Sequence, residues 1–327
     1  MPNAPLTPVD VLVLGGGAAG LSAALSLGRS RRSVRVLDAG EPRNATSPHA
    51  HNLLTHDGTP PSALLAAGRD EVARYGVEVV TARVVAAQAV DVPSGATHEP
   101  TFAVRTADGR THHARRLVVA TGMRDVLPDV PGLGERWGRD VLHCPYCHGW
   151  EVRDRRLAVL ATGPRAVHAA LLVRQLSDDV TLLTHDAFAP DAEQHADLAA
   201  RGVRVLPGRV VAAQVEDDAL TGLALADGDV VPCDAVFVGS RAVLDGGVVD
   251  GLGLATTALD FLGEDVGRAV VVDATGATSV PGVWAAGNVT GPQHALAASI
   301  AAGSLAGAHV NASLVTADVA AARTTRP

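Results

Sequence analysis

The apolar run Val9 to Leu14 opens directly into Gly15-Gly16-Gly17-Ala18-Ala19-Gly20, and Leu21 to Leu27 continues as a helix. Strand, tight glycine turn and helix in that order leave few folds open. Gly15, Gly17 and Gly20 satisfy Gly-x-Gly-x-x-Gly, and the next strand, Ser33 to Leu37, ends on Asp38, where a ribose-binding acid is expected. The glycines let backbone approach a pyrophosphate, which the free N–H groups and dipole of a helix N-terminus attract. Asp38 can accept both ribose hydroxyls of an adenosine. A glycine turn used only for packing is the plainer alternative; strand, helix and spaced acid together favour dinucleotide binding.

A second unit of the same kind follows. Arg156 to Leu160 reads as a strand, Ala161-Thr162-Gly163-Pro164-Arg165-Ala166 as a turn, Val167 to Leu176 as a helix and Val180 to Thr184 as a strand. This copy is damaged, since Ala161 replaces the first glycine and Pro164 stands inside the loop. After its second strand comes Asp186 and no arginine, which disfavours an NADPH 2′-phosphate. NADH stays open without support. Further strands are expected at Val77 to Val85, Phe102 to Thr106, Leu117 to Gly122, Val203 to Leu206, Val210 to Val215, Leu220 to Leu225, Ala235 to Val238 and Ala269 to Asp273. Helices are expected around Glu71 to Tyr75 and from Ala295 to Leu314.

A chain of 327 residues is long for one core and suggests two domains of about 100–200 residues each. Hydrophobic content of 47%, charged content of 19% and no apolar run near about 18 residues describe a soluble chain without a membrane-spanning helix. Met1 to Asp10 carries neither a basic region nor a long apolar one, so a cytoplasmic location is expected. A net charge of −8 argues against nucleic acid and anionic membrane as partners. All 27 basic residues are arginine, which removes Walker A, Schiff-base and pyridoxal phosphate chemistry.

Two of the three cysteines fall in His143-Cys144-Pro145-Tyr146-Cys147-His148-Gly149. Three readings compete. A Cys-x-x-Cys dithiol can attack or be attacked as a disulfide, and a lone pair of this kind in a reducing compartment points to redox chemistry. Cys144 to His148 also spells the c-type haem attachment pattern, which requires an export signal that Met1 to Asp10 lacks. A zinc site needs a second ligand pair, and Cys233 stands alone as a small buried hydrophobe, so no metal is expected. The dithiol is the favoured reading. Ahead of it, Glu41 to Gly58 is polar, turn-rich and carries His49, His51 and His56, as a ligand-lining passage does.

Four motifs in order, Gly15-x-Gly17-x-x-Gly20, Ala120-Thr121-Gly122, the Cys-x-x-Cys, and Val283-Trp284-Ala285-Ala286-Gly287-Asn288, resemble the low-molecular-weight thioredoxin reductases over nearly the whole chain. The resemblance implies an α/β fold of two Rossmann-like, three-layer ββα dinucleotide-binding domains. It implies an FAD domain from residues 1–126 and 243–327, an inserted pyridine-nucleotide-type domain at 127–242, and a homodimer. Thr121, Gly122, Gly287, Asn288, His294 and Ala295 would then join Gly15, Gly17, Gly20 and Asp38 around FAD.

Three departures from the reductase pattern stand out. His148 replaces the usual Asp after the second cysteine, Asn288 the usual Asp after Ala-Ala-Gly, and Gln293-His294-Ala295 the usual Arg-Gln-Ala. The amide of Asn288 is expected to bond a ribityl hydroxyl. With the damaged second loop, the chain is similar to the dithiol oxidases of gliotoxin and holomycin biosynthesis. That similarity implies a small dithiol natural product as substrate, oxygen as acceptor, Cys144 as interchange sulfur and Cys147 nearer the flavin. His148, then His143 or His294, would be the acid/base. An NAD(P)H- or ferredoxin-dependent disulfide reductase is the alternative.

Overall fold

The protein is described here by a computed structural model covering residues 7–90 and 102–325; the first six residues of the N-terminal stretch lie outside it. The chain opens with β1 (Val9–Leu14), α1 (Ala18–Arg29), β2 (Val34–Asp38), α2 (Pro61–Ala73), β3 (Glu78–Thr81), β4 (Val84–Ala89), β5 (Phe102–Thr106) and β6 (Thr111–Val119). These strands form one sheet in the order β3-β2-β1-β6-β5-β4, parallel from β3 to β6 and antiparallel beyond. Val11 and Val13 bury against α1 while Leu12 and Leu14 bury on the opposite face, so β1 is apolar from Val11 to Leu14, as a stretch covered on both sides must be.

The chain leaves through β7 (Arg124–Val126) and builds β8 (Val141–Leu142), α3 (Pro145–His148), β9 (Leu157–Leu160), α4 (Arg165–Val173), β10 (Val180–Leu183), α5 (Ala192–Ala200) and β11 (Arg204–Leu206). β12 (Val210–Glu216), β13 (Ala219–Leu225) and β14 (Val230–Pro232) make a small antiparallel sheet before β15 (Ala235–Val238). The second large sheet runs β11-β10-β9-β15-β8, all parallel. The expected strand-turn-helix-strand unit is therefore present as β9, α4 and β10. The sequence reading missed α5, although it opens on a capping box. The Asp191 carboxylate accepts the Gln194 N–H at 2.9 Å, and the Gln194 side chain accepts the Asp191 N–H at 2.9 Å.

The return runs through β16 (Arg241–Val243), α6 (Gly246–Val249), β17 (Thr256–Phe261), β18 (Glu264–Val270), β19 (Val283–Ala285) and α7 (Leu296–Thr325). β19 pairs in parallel with β6, which returns the end of the chain to the first sheet. The outgoing β7 and returning β16 pair antiparallel, side by side.

Three expectations need correcting. The strand expected at Ala269–Asp273 is β18, which starts at Glu264 because Leu262 (φ 55°) and Gly263 (φ 81°) turn the chain into a tight hairpin with β17. The single strand expected from Val77 to Val85 is two, β3 paired with β2 and β4 paired with β5, at opposite ends of the sheet order. The helix expected around Glu71 to Tyr75 is α2, which begins at Pro61 and ends before Tyr75.

α7 lies on α1 at backbone contact. A Cβ at Gly303 would stand 2.0 Å from the Ala19 carbonyl oxygen, and one at Gly307 2.7 Å from that of Ala23. Side chains at these positions would push the helices apart and open the core behind β1. Gly303→Ala is expected to lower stability by about 1–3 kcal/mol in a denaturant titration, while Gly134→Ala, with open space around it, stays near wild type.

Candidate active site

The parallel strands β1, β2, β6 and β19 end on the same side of the first sheet, and the residues at those ends form a cradle. Gly15 has φ 105°, and a Cβ there would lie 2.3 Å from the Ala120 carbonyl oxygen; one at Gly20 would lie 1.9 Å from the Gly15 oxygen. Those two glycines serve close packing. Gly17 differs, because a Cβ on it would meet nothing within 4 Å, and it caps α1 with no side-chain hydrogen bond. The start of α1 thus faces open space, where a pyrophosphate gains from its N–H groups. Asp38 Oδ1 accepts the Gly16 N–H at 3.1 Å, which fixes the carboxylate at the rim. Thr121 Oγ1 is buried with no hydrogen-bond partner, and Gly122 beside it (φ 69°) borders open space. An orphaned hydroxyl, an uncapped helix and a spaced acid around one cradle fit an adenine dinucleotide such as FAD.

The far wall of the cradle is the turn after β19. Gly287 (φ 80°) permits it, since a Cβ there would stand 2.7 Å from Ala19 Cβ. The Asn288 amide has a task within the loop beside the ligand bond expected of it. Its Nδ2 donates to the carbonyls of Gly291 (3.2 Å), Pro292 (3.2 Å) and His294 (3.1 Å), closing the loop on itself and leaving Oδ1 for a ligand. An aspartate here would set an anion against three carbonyl oxygens. His294 Nδ1 lies 3.0 Å from the Gly287 carbonyl, so its ring is tied into the same loop, and Ala295 is exposed just ahead of α7.

The dithiol sits beyond the C-terminal end of β8. Cys144 caps the single turn α3 with Pro145 behind it, and its carbonyl accepts the N–H groups of Cys147 (3.1 Å) and His148 (3.2 Å). Cys147 Sγ donates to Cys144 Sγ at 2.7 Å, so the sulfurs touch. The Cys144 thiol is pulled down to about 7, first by that sulfur contact, against the cost of burial, and further by the backbone N–H groups of Cys147 and Tyr146 and the charge of Arg43. Cys147 is pushed up by the same contact and by burial. The first proton therefore leaves from Cys144. Cys233 is buried and its thiol is pushed up to about 12, which makes it inert.

Sequence reasoning gave Arg43 no role. It grips Asp125 in bidentate fashion (2.7 and 2.6 Å) and donates to the Pro292 carbonyl at 2.9 Å, while Ser240 Oγ donates to Asp125 at 2.6 Å. Only its place in the turn-rich Glu41–Asn44 passage hinted at a site.

The histidines divide. His143 is exposed to solvent although much protein surrounds its ring. Burial, with the charges of Arg43 and Arg165, holds its pKa below the usual imidazole range against Asp125. His148 is also held low by burial, with His51 adding to the effect and Glu151 opposing it. Its Nε2 lies 2.6 Å from Ser47 Oγ, and its ring stands edge-on to His51 at 6.5 Å. Beside it opens a cavity of about 300 Å3 lined by His51, Asn52, Asp57, Tyr146, Trp150 and Glu151. His143 and His148 flank the dithiol in the chain, while His294 is tied into the loop between Gly287 and α7. Among the described residues no group of three or more His, Cys, Asp or Glu could hold a metal ion.

The second glycine loop holds a carboxylate of the chain itself. Glu264, at the start of β18, accepts the Thr162 hydroxyl at 2.8 Å and pairs with Arg165 at 3.1 Å. A Cβ on Gly163 would stand 2.5 Å from its Oε2, and Arg165 also donates to the Ser240 carbonyl at 3.0 Å. Glu264 and Arg165 are each 13% exposed. The anion place at the start of α4 is filled from within.

A sequence model of the pyridine nucleotide-disulphide oxidoreductases matches residues 9–302. The chain belongs to that family. Within the family it is 32% identical over 327 residues to "Thioredoxin reductase sirT" of Leptosphaeria maculans, covering 95% of this chain and 96% of the relative. It is 36% identical over 190 residues to "Thioredoxin reductase tcpT" of Claviceps purpurea, covering 54% of this chain and 56% of that one. To a thioredoxin reductase relative of Arthroderma benhamiae it is 36% identical over 180 residues, covering 55% of this chain and 44% of that one, so the chain spans about half the length of these two relatives. Among solved structures, HlmI is 44% identical with a TM-score of 0.89, covering 99% of this chain and 100% of the other. An oxidoreductase from Agrobacterium tumefaciens is 36% identical with a TM-score of 0.86, covering 95% and 99%. The protein is thioredoxin reductase-like, and its fold is the two-unit dinucleotide-binding fold expected from the sequence.

Alkylation tests the thiol assignment. In the reduced protein, carboxamidomethylation of Cys144 by iodoacetamide, followed by peptide mass mapping, is expected to rise with pH and reach half its plateau near pH 7. Cys233 is expected to react only after unfolding.

Proposed function

We propose that the protein is an FAD-dependent dithiol oxidase that closes a disulfide in a small dithiol natural product, with oxygen as the final acceptor and hydrogen peroxide as its product. The observation that carries this reading is Glu264. A carboxylate bonded to Thr162 and Arg165 against Gly163 repels the pyrophosphate of a nicotinamide donor, which leaves Cys144 and Cys147 as the entry for electrons.

The chain's own residues then account for the thiol steps. One substrate thiolate attacks the Cys144–Cys147 disulfide at Cys144, forming a mixed disulfide and releasing Cys147 as thiolate. The second substrate thiolate attacks its neighbour in the mixed disulfide, closes the product ring and releases Cys144. Cys144 is the better leaving group because its pKa is lowered to about 7. Each attack needs a substrate thiol deprotonated and a leaving sulfur balanced. His148, held neutral above its lowered pKa, can take that proton at neutral pH. FAD, when bound in the cradle of Gly15, Gly17, Gly20, Asp38, Thr121 and Gly287, supplies the two-electron link between the reduced cysteines and oxygen.

The printed names of the sirT and tcpT relatives favour a second reading, an NAD(P)H-dependent disulfide reductase. Anaerobic mixing separates the two. The oxidase reading expects a small dithiol to bleach the flavin absorbance while NADH and NADPH leave it intact; bleaching by either nucleotide overturns it. Cys144→Ser is expected to abolish dithiol-dependent oxygen uptake. His148→Ala is expected to lower it about a hundredfold at neutral pH, and unchanged turnover removes the acid/base role.

A further inference from the structure

Ser47 stands between His148 and the backbone. Its Oγ is 2.6 Å from His148 Nε2 and 2.7 Å from the His49 carbonyl oxygen, and the residue is only 7% exposed, so water does not complete the pattern. A hydroxyl has one proton to give and lone pairs to receive. If that proton went to Nε2, two oxygens would face each other at 2.7 Å with no hydrogen between them. Both contacts are satisfied only when Ser47 donates to the carbonyl and accepts an N–H from His148 Nε2.

We infer that Ser47 is a positioning residue that fixes His148 as its Nε2–H tautomer, leaving Nδ1 as the one nitrogen able to take up a proton. The chain of bonds ends on the His49 carbonyl, which accepts a hydrogen bond but cannot carry a proton onward. A proton gained at Nδ1 therefore stays on the ring until Nδ1 returns it. In the proposed reaction, Nδ1 takes the proton of a substrate thiol as its sulfur bonds to Cys144, and later gives the same proton to a sulfur released as thiolate. No proton leaves the site between the two steps. The tautomer follows from the hydrogen bonds alone; only this catalytic consequence rests on the proposed oxidase reading.

The other groups facing His148 do not compete for Nε2. His51 and Asp57 approach from the same loop as Ser47, and Glu151 from the turn after α3, and His51 holds both acids, at 3.5 Å to Asp57 and 3.4 Å to Glu151.

Long-range 1H–15N spectra of protein labelled at histidine test the assignment without turnover. The expected wild-type pattern for His148, identified by its absence in His148→Ala, is a protonated Nε2 and an unprotonated Nδ1 near pH 8. A protonated Nδ1 overturns the inference. Ser47→Ala is expected to mix the tautomers, lower dithiol turnover about tenfold and move the acid limb of the pH profile, with Ser47→Thr restoring all three. A loss of turnover in Ser47→Ala with tautomer and acid limb unchanged assigns Ser47 a merely structural part and also overturns it. If no small dithiol supports oxygen uptake by the wild-type protein while its spectrum is as expected, the oxidase reading fails and the tautomer stands.

Discussion

The ion pair between Arg43 and Asp125 is the contact on which the site's assembly rests. Asp125 keeps 7% of its side chain exposed and Arg43 21%, so neither charge is solvated well enough to stand alone. Breaking such a pair leaves an uncompensated charge inside the protein, a loss of about 3–5 kcal/mol in comparable cases. The pair joins the turn after β2 to the outgoing strand β7, and through Pro292 to the loop ahead of α7. Three distant parts of the chain are thereby set around Cys144, and the same guanidinium helps hold the Cys144 thiolate.

Much of this was legible in the sequence because it is local. The glycine turn, the spaced Asp38 and the Cys-x-x-Cys are each written within one short stretch, and their geometry follows from backbone rules. Ser47 with His148, Thr162 with Glu264 and Arg43 with Asp125 are separated by 101, 102 and 82 residues. No periodicity marks such partners, since only the folded chain brings them together. Asn288 shows a subtler limit. Its identity suggested a hydrogen bond to a ligand, yet the loop's own carbonyls claim its amide nitrogen first.

The two glycine loops show how one local pattern can take different parts. The first ends in open space beside Gly17, and the second ends against Glu264. Loss of the first glycine to Ala161 and the entry of Pro164 are visible in the sequence, but the occupant is not. Glu264 lies in the β17–β18 hairpin, of which the sequence suggested only the stretch from Ala269 onward.

The pairing of β7 with β16 means that, among the described residues, the outgoing and returning links between the large sheets run alongside each other. Two parallel tethers behave as a hinge, about which one sheet could swing over the other. The Glu264–Arg165 contact adds a second tie, from β18, the neighbour of β16 in the same sheet, to the start of α4. An axle with a pin is harder to swing than an axle alone, so the Glu264–Arg165 pair is the contact that would have to part before the sulfur pair could turn against the glycine cradle.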